Sequence, residues 1–266
     1  MTVNLYKNCK NSHNLELEGR SVRLGTLYGY RKAEDPEIRD EQEGICSFTI
    51  DIPGRTSVSL DNFNTILSGG ISFGSRPTPR VRGGFSIHVH NLKTGAVSYN
   101  DIELLRCQVQ VDRFSPNSFL FCMSIGNSPP TVSSSYEGHW HISHSRISEF
   151  SKGLEEALLA RIKLDPSVVN GLDKNMLDKI KIESRSSRVI YMDRTLTTKS
   201  LGMLELNDVL NRMKEISFTK PIRFSPESEF RIMLEVTDGT VYYEPSSKYL
   251  DLDADFADPL LIRGTA

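Results

Sequence analysis

The chain has 266 residues, of which 38% are hydrophobic and 25% are charged. This composition allows a packed core and excludes a globally disordered chain. The 32 lysines and arginines nearly balance the 34 aspartates and glutamates, so the chain as a whole is not a strongly basic nucleic-acid binder. A few clustered cations would still be enough to line a basic cleft.

The cysteines are too widely spaced to form a CxxC pair or an evident disulfide framework. We therefore expect reduced thiols. The N-terminal stretch lacks the apolar segment of a signal peptide, and no run approaches the roughly 18 apolar residues that a membrane span needs. These features predict a soluble, cytoplasmic protein with no membrane partner.

Alternation of apolar and polar residues, typical of strands, recurs through the first half of the chain. It predicts strands over residues 3–6, 21–27, 45–52, 85–90, 104–111 and 119–125. The last of these is almost wholly apolar, which favours a buried central strand. Residues 28–44 carry charges of both signs and include Asp35-Pro36, so this segment is interpreted as a loop or a short frayed helix.

The second half of the chain contains the helical signals. Apolar residues at helical spacing predict helices over residues 148–162 and 206–216, and a shorter helix is predicted over 173–181. We further predict a polar loop over 133–148, a strand over 188–192, a hairpin over 229–243 turning at Asp238-Gly239, and an exposed acidic tail over 251–258. Many short strands with a few helices inserted late predict an α+β fold, in a single domain over 1–266.

The histidines form two groups. His88 and His90 share a strand face at a spacing compatible with metal binding, and His139, His141 and His144 lie in one predicted loop. The usual spacings of structural zinc sites are absent, which favours an exposed strand face and a solvated loop. For His139 and His141, contact with a substrate is as good an interpretation as metal binding.

Trp140 is the only tryptophan of the chain and stands between two histidines. A flanked aromatic residue in a loop can stack on a base or on a nicotinamide ring. It can also plug the edge of the core, which is the more common arrangement.

Glu227 and Glu229 stand two residues apart, just before an apolar run that contains Arg231. In a strand all three side chains would share one face. Carboxylates placed in this way can hold a ribose hydroxyl and stabilise the positive charge that builds on an anomeric carbon. On spacing alone, however, a surface ion pair is the better interpretation.

Four segments, taken in order, resemble a known family. They are LYK at residues 5–7, RLGTLYGYRKAEDPEIRDEQEG at 23–44, FLFCMSI at 119–125 followed by HW at 139–140, and KPIRFSPESEFRIML at 220–234. They resemble a widespread bacterial and phage-associated family of uncharacterised proteins related to the ADP-ribosyltransferase fold of defence toxins. Members typically show LYxY, an NDPxE-like segment, a CFS strand before a tryptophan loop, and an ExEyR strand. Here Cys122-Met123-Ser124 replaces CFS.

The resemblance implies a split pair of small β-sheets with NAD bound in the cleft between them. Glu229 would match the catalytic glutamate and Glu227 the upstream member of the pair. Tyr6 and Lys7 would lie on the first strand, where such enzymes hold NAD with histidine or arginine, so Lys7 is a departure. Asp40 and Glu43 match the acidic segment, to which we assign no role. Further residues expected at the cleft are Tyr28, Tyr30, Arg31 and Trp140.

The sequence therefore predicts an ADP-ribosyltransferase toxin that uses NAD to modify a nucleic acid such as RNA, or a protein. Its setting would be anti-phage defence, with a neutralising antitoxin as partner. One alternative is a non-catalytic binding or sensor module of the same fold, which Lys7 favours. A second alternative is a metal-dependent nuclease that uses the histidines.

Overall fold

The computed structural model describes residues 3–17, 21–33, 36, 39–74, 83–126, 136–198 and 211–262. The protein is an α+β protein in which strands predominate, at 45% of the residues, and form curled sheets. The α+β class predicted from the sequence is thereby confirmed. The strands are β1 (Asn4–Cys9), β2 (Ser21–Thr26), β3 (Ile45–Ile52), β4 (Thr56–Ser59), β5 (Gly84–Val97), β6 (Asp101–Phe114), β7 (Phe119–Gly126), β8 (Gly138–Ser143), β9 (Lys181–Arg188), β10 (Ile190–Tyr191), β11 (Thr195–Thr198), β12 (Thr219–Lys220), β13 (Glu229–Thr237), β14 (Tyr242–Tyr243) and β15 (Tyr249–Asp253). The α-helices are α1 (Leu27–Tyr30), α2 (Leu60–Ile66) and α3 (Ile147–Leu164).

The chain divides into two compact units. Unit 1 comprises Met1–Glu43, Asn117–Tyr191 and Ile222–Ala266, and unit 2 comprises Gly44–Pro116 and Met192–Pro221. Each unit has its own hydrophobic core. The single domain expected from the sequence stays a prediction.

Unit 1 is built on an eight-stranded sheet in which β14, β13, β7, β1 and β8 lie side by side in that order. Strand β9 also pairs with β13, while β2 pairs with both β7 and β15. Strand β7 is central and nearly all apolar because both of its faces are covered, as the sequence pattern predicted. It pairs antiparallel with β13 from Glu229↔Ser124 to Leu234↔Phe119.

Helix α3 covers one face of this sheet. Its apolar residues recur every four positions, so they form one stripe that faces the core, and Phe150, Leu154, Leu158 and Ile162 are fully buried. Glu149 in the first turn and Arg161 and Lys163 in the last turn complement the helix dipole. The helix predicted over 148–162 is thus confirmed. No helix among the described residues has the length and apolar character needed to cross a bilayer.

Unit 2 contains a five-stranded sheet with the order β11-β3-β6-β4, in which β5 pairs with β6 along the other edge of that strand. Alternate residues of β3 are buried, from Cys46 to Ile52, as the alternation in the sequence predicted. Helix α2 begins after Ser59, whose hydroxyl accepts a hydrogen bond from the Asn62 amide. Phe63 and Ile66 of this helix are buried in the core of unit 2.

Several local predictions differ from the structure. The predicted loop over 133–148 contains β8, which pairs with β1 along its length, because Trp140 and Ile142 point into the core between polar neighbours. Residues 173–181 form only a 3-10 turn at Lys174–Met176. The acidic tail is not simply exposed, since β15 pairs with β2 and buries Leu252. In the helix predicted over 206–216, residues 211–214 are helical and 206–210 lie outside the described part.

Candidate active site

The two glutamates of the ExE segment do not lie on one strand. Glu227 ends the 3-10 helix Ile222–Glu227, while Glu229 is the first residue of β13. Ser228 between them has a φ of 44°, in the left-handed region that non-glycine residues seldom adopt. The chain therefore turns between the two carboxylates, and the predicted alternation of Glu227 with Glu229 is wrong. The alternation of Glu229 with Arg231 is correct.

Glu229, Arg231 and Glu43 form a buried ion network in unit 1. The Arg231 Nε donates to Glu229 Oε1 at 2.6 Å, and its two terminal nitrogens donate to the Glu43 carboxylate at 2.9 and 3.0 Å. Arg231 and Glu43 have no exposed surface, and Glu229 retains 6%. Two carboxylates thus share one guanidinium away from water. The prediction of a surface ion pair, which the spacing favoured, is therefore wrong.

The charge on Arg231 depends on these two partners. Burial by itself would lower the pKa of the guanidinium, but Glu229 and Glu43 outweigh burial and raise this pKa well above its usual value. The backbone of Glu229 is held in addition, because its amide donates to the Tyr191 hydroxyl at 2.7 Å. The carboxylate of Glu229 is therefore held in one orientation by both backbone and side-chain contacts.

Arg31 supports the loop that carries Glu43. Its Nε donates to the Glu43 carbonyl oxygen at 2.6 Å, and its guanidinium lies 3.8 Å from the centre of the Tyr28 ring. Asp40 in the same loop is 2% exposed, and its carbonyl accepts a hydrogen bond from the Glu43 amide. Tyr28 and Arg31, expected at the cofactor, thus stabilise the backbone next to the ion network.

Cys122 and Tyr30 lie beside the ion network. Cys122 is the cross-strand partner of Arg231, and its sulfur accepts a hydrogen bond from the Tyr30 hydroxyl at 3.4 Å. Burial, with a further contribution from Glu229, raises the pKa of the Cys122 thiol to about 12. Burial and the neighbouring Cys122 also raise the pKa of Tyr30 well above its usual value, and Glu229 adds to this effect. Both groups are therefore neutral at physiological pH.

This arrangement predicts that all the thiols are inert in the folded protein. Burial raises the pKa of Cys9, Cys46 and Cys107 to about 11 and contributes most to the value of about 12 for Cys122, while the thiolate is the reactive form. We expect Ellman's reagent at about pH 8 to label none of them rapidly, and all of them once guanidinium chloride unfolds the chain. A thiol that reacts at once in the native protein would contradict the raised pKa values of these side chains and their limited exposure.

The sheet of unit 1 is split beside the same cysteine. Strand β1 pairs with β7 only over Ser124 to Gly126, and β2 pairs with the same edge of β7 only at Phe119 and Leu120. Between these two pairings neither strand pairs with β7. The side chain of Lys7 enters this gap, where its Nζ donates to the Cys122 carbonyl oxygen at 2.9 Å and lies 4.9 Å from the centre of the Phe121 ring.

A cleft of about 600 Å³ opens at the split. Its walls include residues from both faces of the sheet, so it is a gap between strands and not a groove on one face. The described lining residues include cations and aromatic rings but no aspartate or glutamate. The cations are Lys7, Lys10, Arg23, Lys32 and Lys248, and the aromatic residues are His13, Tyr30, Phe121, Tyr136, Trp140 and Tyr249.

The last two residues expected to hold the cofactor, Trp140 and Tyr6, make their main contacts with other aromatic rings. Trp140 contributes to the wall of the cleft but is 1% exposed and packs against Phe121 and Phe150, so its main contacts are with the core. Tyr6 is not a lining residue of the cleft, because it stacks on His141 with ring centres 4.8 Å apart. Of the residues expected to hold the cofactor, the structure therefore brings Lys7, Tyr30 and Trp140 to the cleft.

The histidines do not form a metal centre in the described part of the chain. His88 and His90 are exposed on β5, whereas His139 and His141 lie on β8. The Nδ1 of His141 lies 3.6 Å from a carboxylate oxygen of Glu16. No group of three or more His, Cys, Asp or Glu side chains arranged to hold a metal ion occurs among the described residues.

Sequence reasoning missed Arg23, Cys122 and the role of Glu43. Arg23 lies on β2 and makes two hydrogen bonds to Asp251, at 2.7 and 2.8 Å. No local signal places Cys122 beside Arg231, because the two residues lie on different strands and meet only through the pairing of β7 with β13. No local signal distinguishes Glu43 from the other acids of its loop.

In comparisons with known proteins, no family model, curated protein or solved structure matches this chain.

Proposed function

We propose that the protein binds NAD in the cleft of unit 1 and transfers its ADP-ribosyl group to an acceptor. The observation that carries this proposal is the position of Tyr30. Its side chain lines the cleft, and its hydroxyl donates a hydrogen bond to the sulfur of Cys122, which lies beside the ion network of Glu229. Tyr30 therefore lies between a cleft lined by cations and aromatic rings and the buried, oriented carboxylate of Glu229. The cleft implied by the resemblance lies between two small sheets, whereas this cleft opens within one eight-stranded sheet. The finer proposal of an ADP-ribosyltransferase-like fold is supported by the predominance of strands.

The lining of the cleft suits a dinucleotide. Lys7 and the neighbouring cations favour a diphosphate, and the tyrosine rings offer faces on which an adenine or nicotinamide ring can stack. A volume of about 600 Å³ is within the range of pockets that enclose small ligands. The residues of the cleft therefore fit NAD in charge, chemistry and size.

In this proposal Glu229 acts on the ribose. The bond between the anomeric carbon and nicotinamide breaks, nicotinamide leaves with the electron pair, and a nucleophile of the acceptor bonds to the same carbon as it loses its proton. Glu229 stabilises the positive charge that develops at that carbon, and Arg231 fixes the orientation of Glu229. Glu227 orients the acceptor. The ribose reaches Glu229 when Tyr30 turns aside from Cys122.

The wider setting follows from the family resemblance. In this proposal the protein is a cytoplasmic toxin of anti-phage defence, and a partner protein acts as its antitoxin. Neither the acceptor nor the antitoxin is needed to test the chemistry, because such an enzyme also hydrolyses NAD slowly with water as the acceptor.

Labelled NAD tests this function. We expect calorimetry to detect NAD binding, and we expect the protein to release nicotinamide and to attach label to a component of a mixture of RNA, DNA and protein. Lys7→Ala removes the cation in the split, so we expect it to weaken NAD binding by at least about tenfold. The exposed Lys163→Ala on α3 is the matched control. Absence of both binding and nicotinamide release would overturn the proposal.

A second candidate function is a sensor that binds a nucleotide without transforming it. It is favoured by the burial of Glu229, which is 6% exposed and bonded to Arg231 at 2.6 Å. A sensor would bind NAD in the same cleft but release no nicotinamide. Comparing binding with turnover in one preparation therefore separates the two candidates.

A further inference from the structure

The rim of the cleft carries more positive charge than NAD requires. Lys10, Lys32 and Lys248 line the opening and are exposed. None of the three forms an ion pair with a described residue. Arg23 differs from them, because Asp251 already neutralises its charge through two hydrogen bonds.

The lysines of the cleft carry more positive charges than the diphosphate of a dinucleotide carries negative charges. Lys7 and the three rim lysines supply four positive charges that no described carboxylate pairs with, while the diphosphate of a dinucleotide supplies two negative charges. Two cations are thus left over at the mouth of the cleft. A partner with further phosphates would neutralise them, and lysines around a groove are the usual means of tracking a phosphate backbone.

The rim also offers an aromatic face. Tyr249 is 54% exposed, and the guanidinium of Arg23 lies 4.3 Å from the centre of its ring. The other face of such a ring can stack on an unpaired base, which adds roughly 1–3 kcal/mol per base without sequence preference. Bases in a duplex are already stacked inside the helix, so a single strand is the form that can use this ring.

We propose that the rim formed by Lys10, Lys32, Lys248 and Tyr249 binds single-stranded nucleic acid. This inference rests on the proposed function, because that function makes the bound strand the acceptor of the ADP-ribosyl group. The lysines hold the phosphates, Tyr249 stacks on a base, and the next nucleotide enters the cleft towards NAD. A protein acceptor would need acidic side chains for the same lysines and would have no base for Tyr249.

Fluorescence anisotropy with labelled oligonucleotides of about twelve nucleotides tests the surface. The probes are single-stranded RNA, single-stranded DNA and the corresponding duplex. We expect Lys10→Glu, Lys32→Glu and Lys248→Glu, combined in one variant, to weaken single-strand binding by more than about tenfold. Measured without NAD, when all three rim lysines are available to the strand, the slope of log affinity against log salt should fall by about 2, for three lost phosphate contacts on a single strand.

The matched control combines Lys163→Glu, Lys174→Glu and Lys179→Glu, which makes the same charge change on exposed lysines away from the cleft. We expect it to bind single strands like the unmodified protein. Equal loss in both triple variants, no loss in the rim variant, or equal affinity for duplex and single strand would each overturn the inference.

NAD binding is measured on the same samples. A protein that binds NAD but no single strand refutes the rim alone, and one that binds single strands but not NAD refutes the proposed transferase alone.

Discussion

Arg231→Met is expected to lower the free energy of unfolding by about 3–5 kcal/mol. The substitution keeps most of the volume of the side chain but leaves the carboxylates of Glu43 and Glu229 without their shared cation. Both carboxylates are buried, at 0% and 6% exposure, so water cannot replace the guanidinium. The measurement is urea unfolding followed by the fluorescence of Trp140, the only tryptophan, which lies in the core of unit 1.

Arg23→Met is the matched control for this prediction. Arg23 also makes two hydrogen bonds to a carboxylate, but the side chains of Arg23 and Asp251 are 40% and 41% exposed. Exposed ion pairs contribute only about 0–1 kcal/mol, and the same tryptophan reports on both variants. Similar losses for the two arginines would show that the buried network contributes no more than a surface pair.

Glu229→Gln is expected to slow NAD turnover by a factor on the order of 10³. Glutamine has nearly the same shape as glutamate and can still accept the hydrogen bond from Arg231, so the fold should persist. It lacks the negative charge that the proposal assigns to the stabilisation of the developing cation. The measurement is nicotinamide release by the variant under saturating NAD, with NAD binding followed separately by calorimetry.

Two further glutamates of the same segment serve as comparisons. Glu227→Gln should slow transfer to the acceptor while leaving NAD hydrolysis almost unchanged, because Glu227 precedes the strand and is assigned to the acceptor. Glu235→Gln, six positions after Glu229 on β13, should leave both reactions unchanged. Unaltered turnover in Glu229→Gln would remove Glu229 from the chemistry.

The fold was most predictable where a local pattern reflects burial directly. The alternation over 45–52 gave β3, and the repeat of Phe150, Leu154, Leu158 and Ile162 gave α3. Prediction failed for β9, whose sequence KIESRSSR has almost no apolar residue. Its strand conformation depends on pairing with β13 from Arg188↔Phe230 to Lys181↔Thr237, and contacts so distant in the chain leave no local pattern.

The candidate site was predictable only in part for the same reason. Strand alternation correctly joined Glu229 to Arg231, but Glu43 approaches Arg231 from a position 188 residues earlier in the chain. The turn at Ser228 could not be foreseen either, because serine rarely adopts a positive φ. The cleft itself depends on where β1 and β2 stop pairing with β7. The sequence of either strand alone does not determine where that pairing ends.

Because the edge of β7 is divided, neither β1 nor β2 forms a ladder with this strand between Leu120 and Ser124, where the cleft opens. Strands β1 and β2 hold different parts of this edge, and none of the described residues between them, 10–17, pairs with β7. A longer or shorter connection would therefore move the two walls apart or together without shifting the register of either strand. Evolution can in this way adjust which ligands enter while the buried carboxylate and its arginine stay in place.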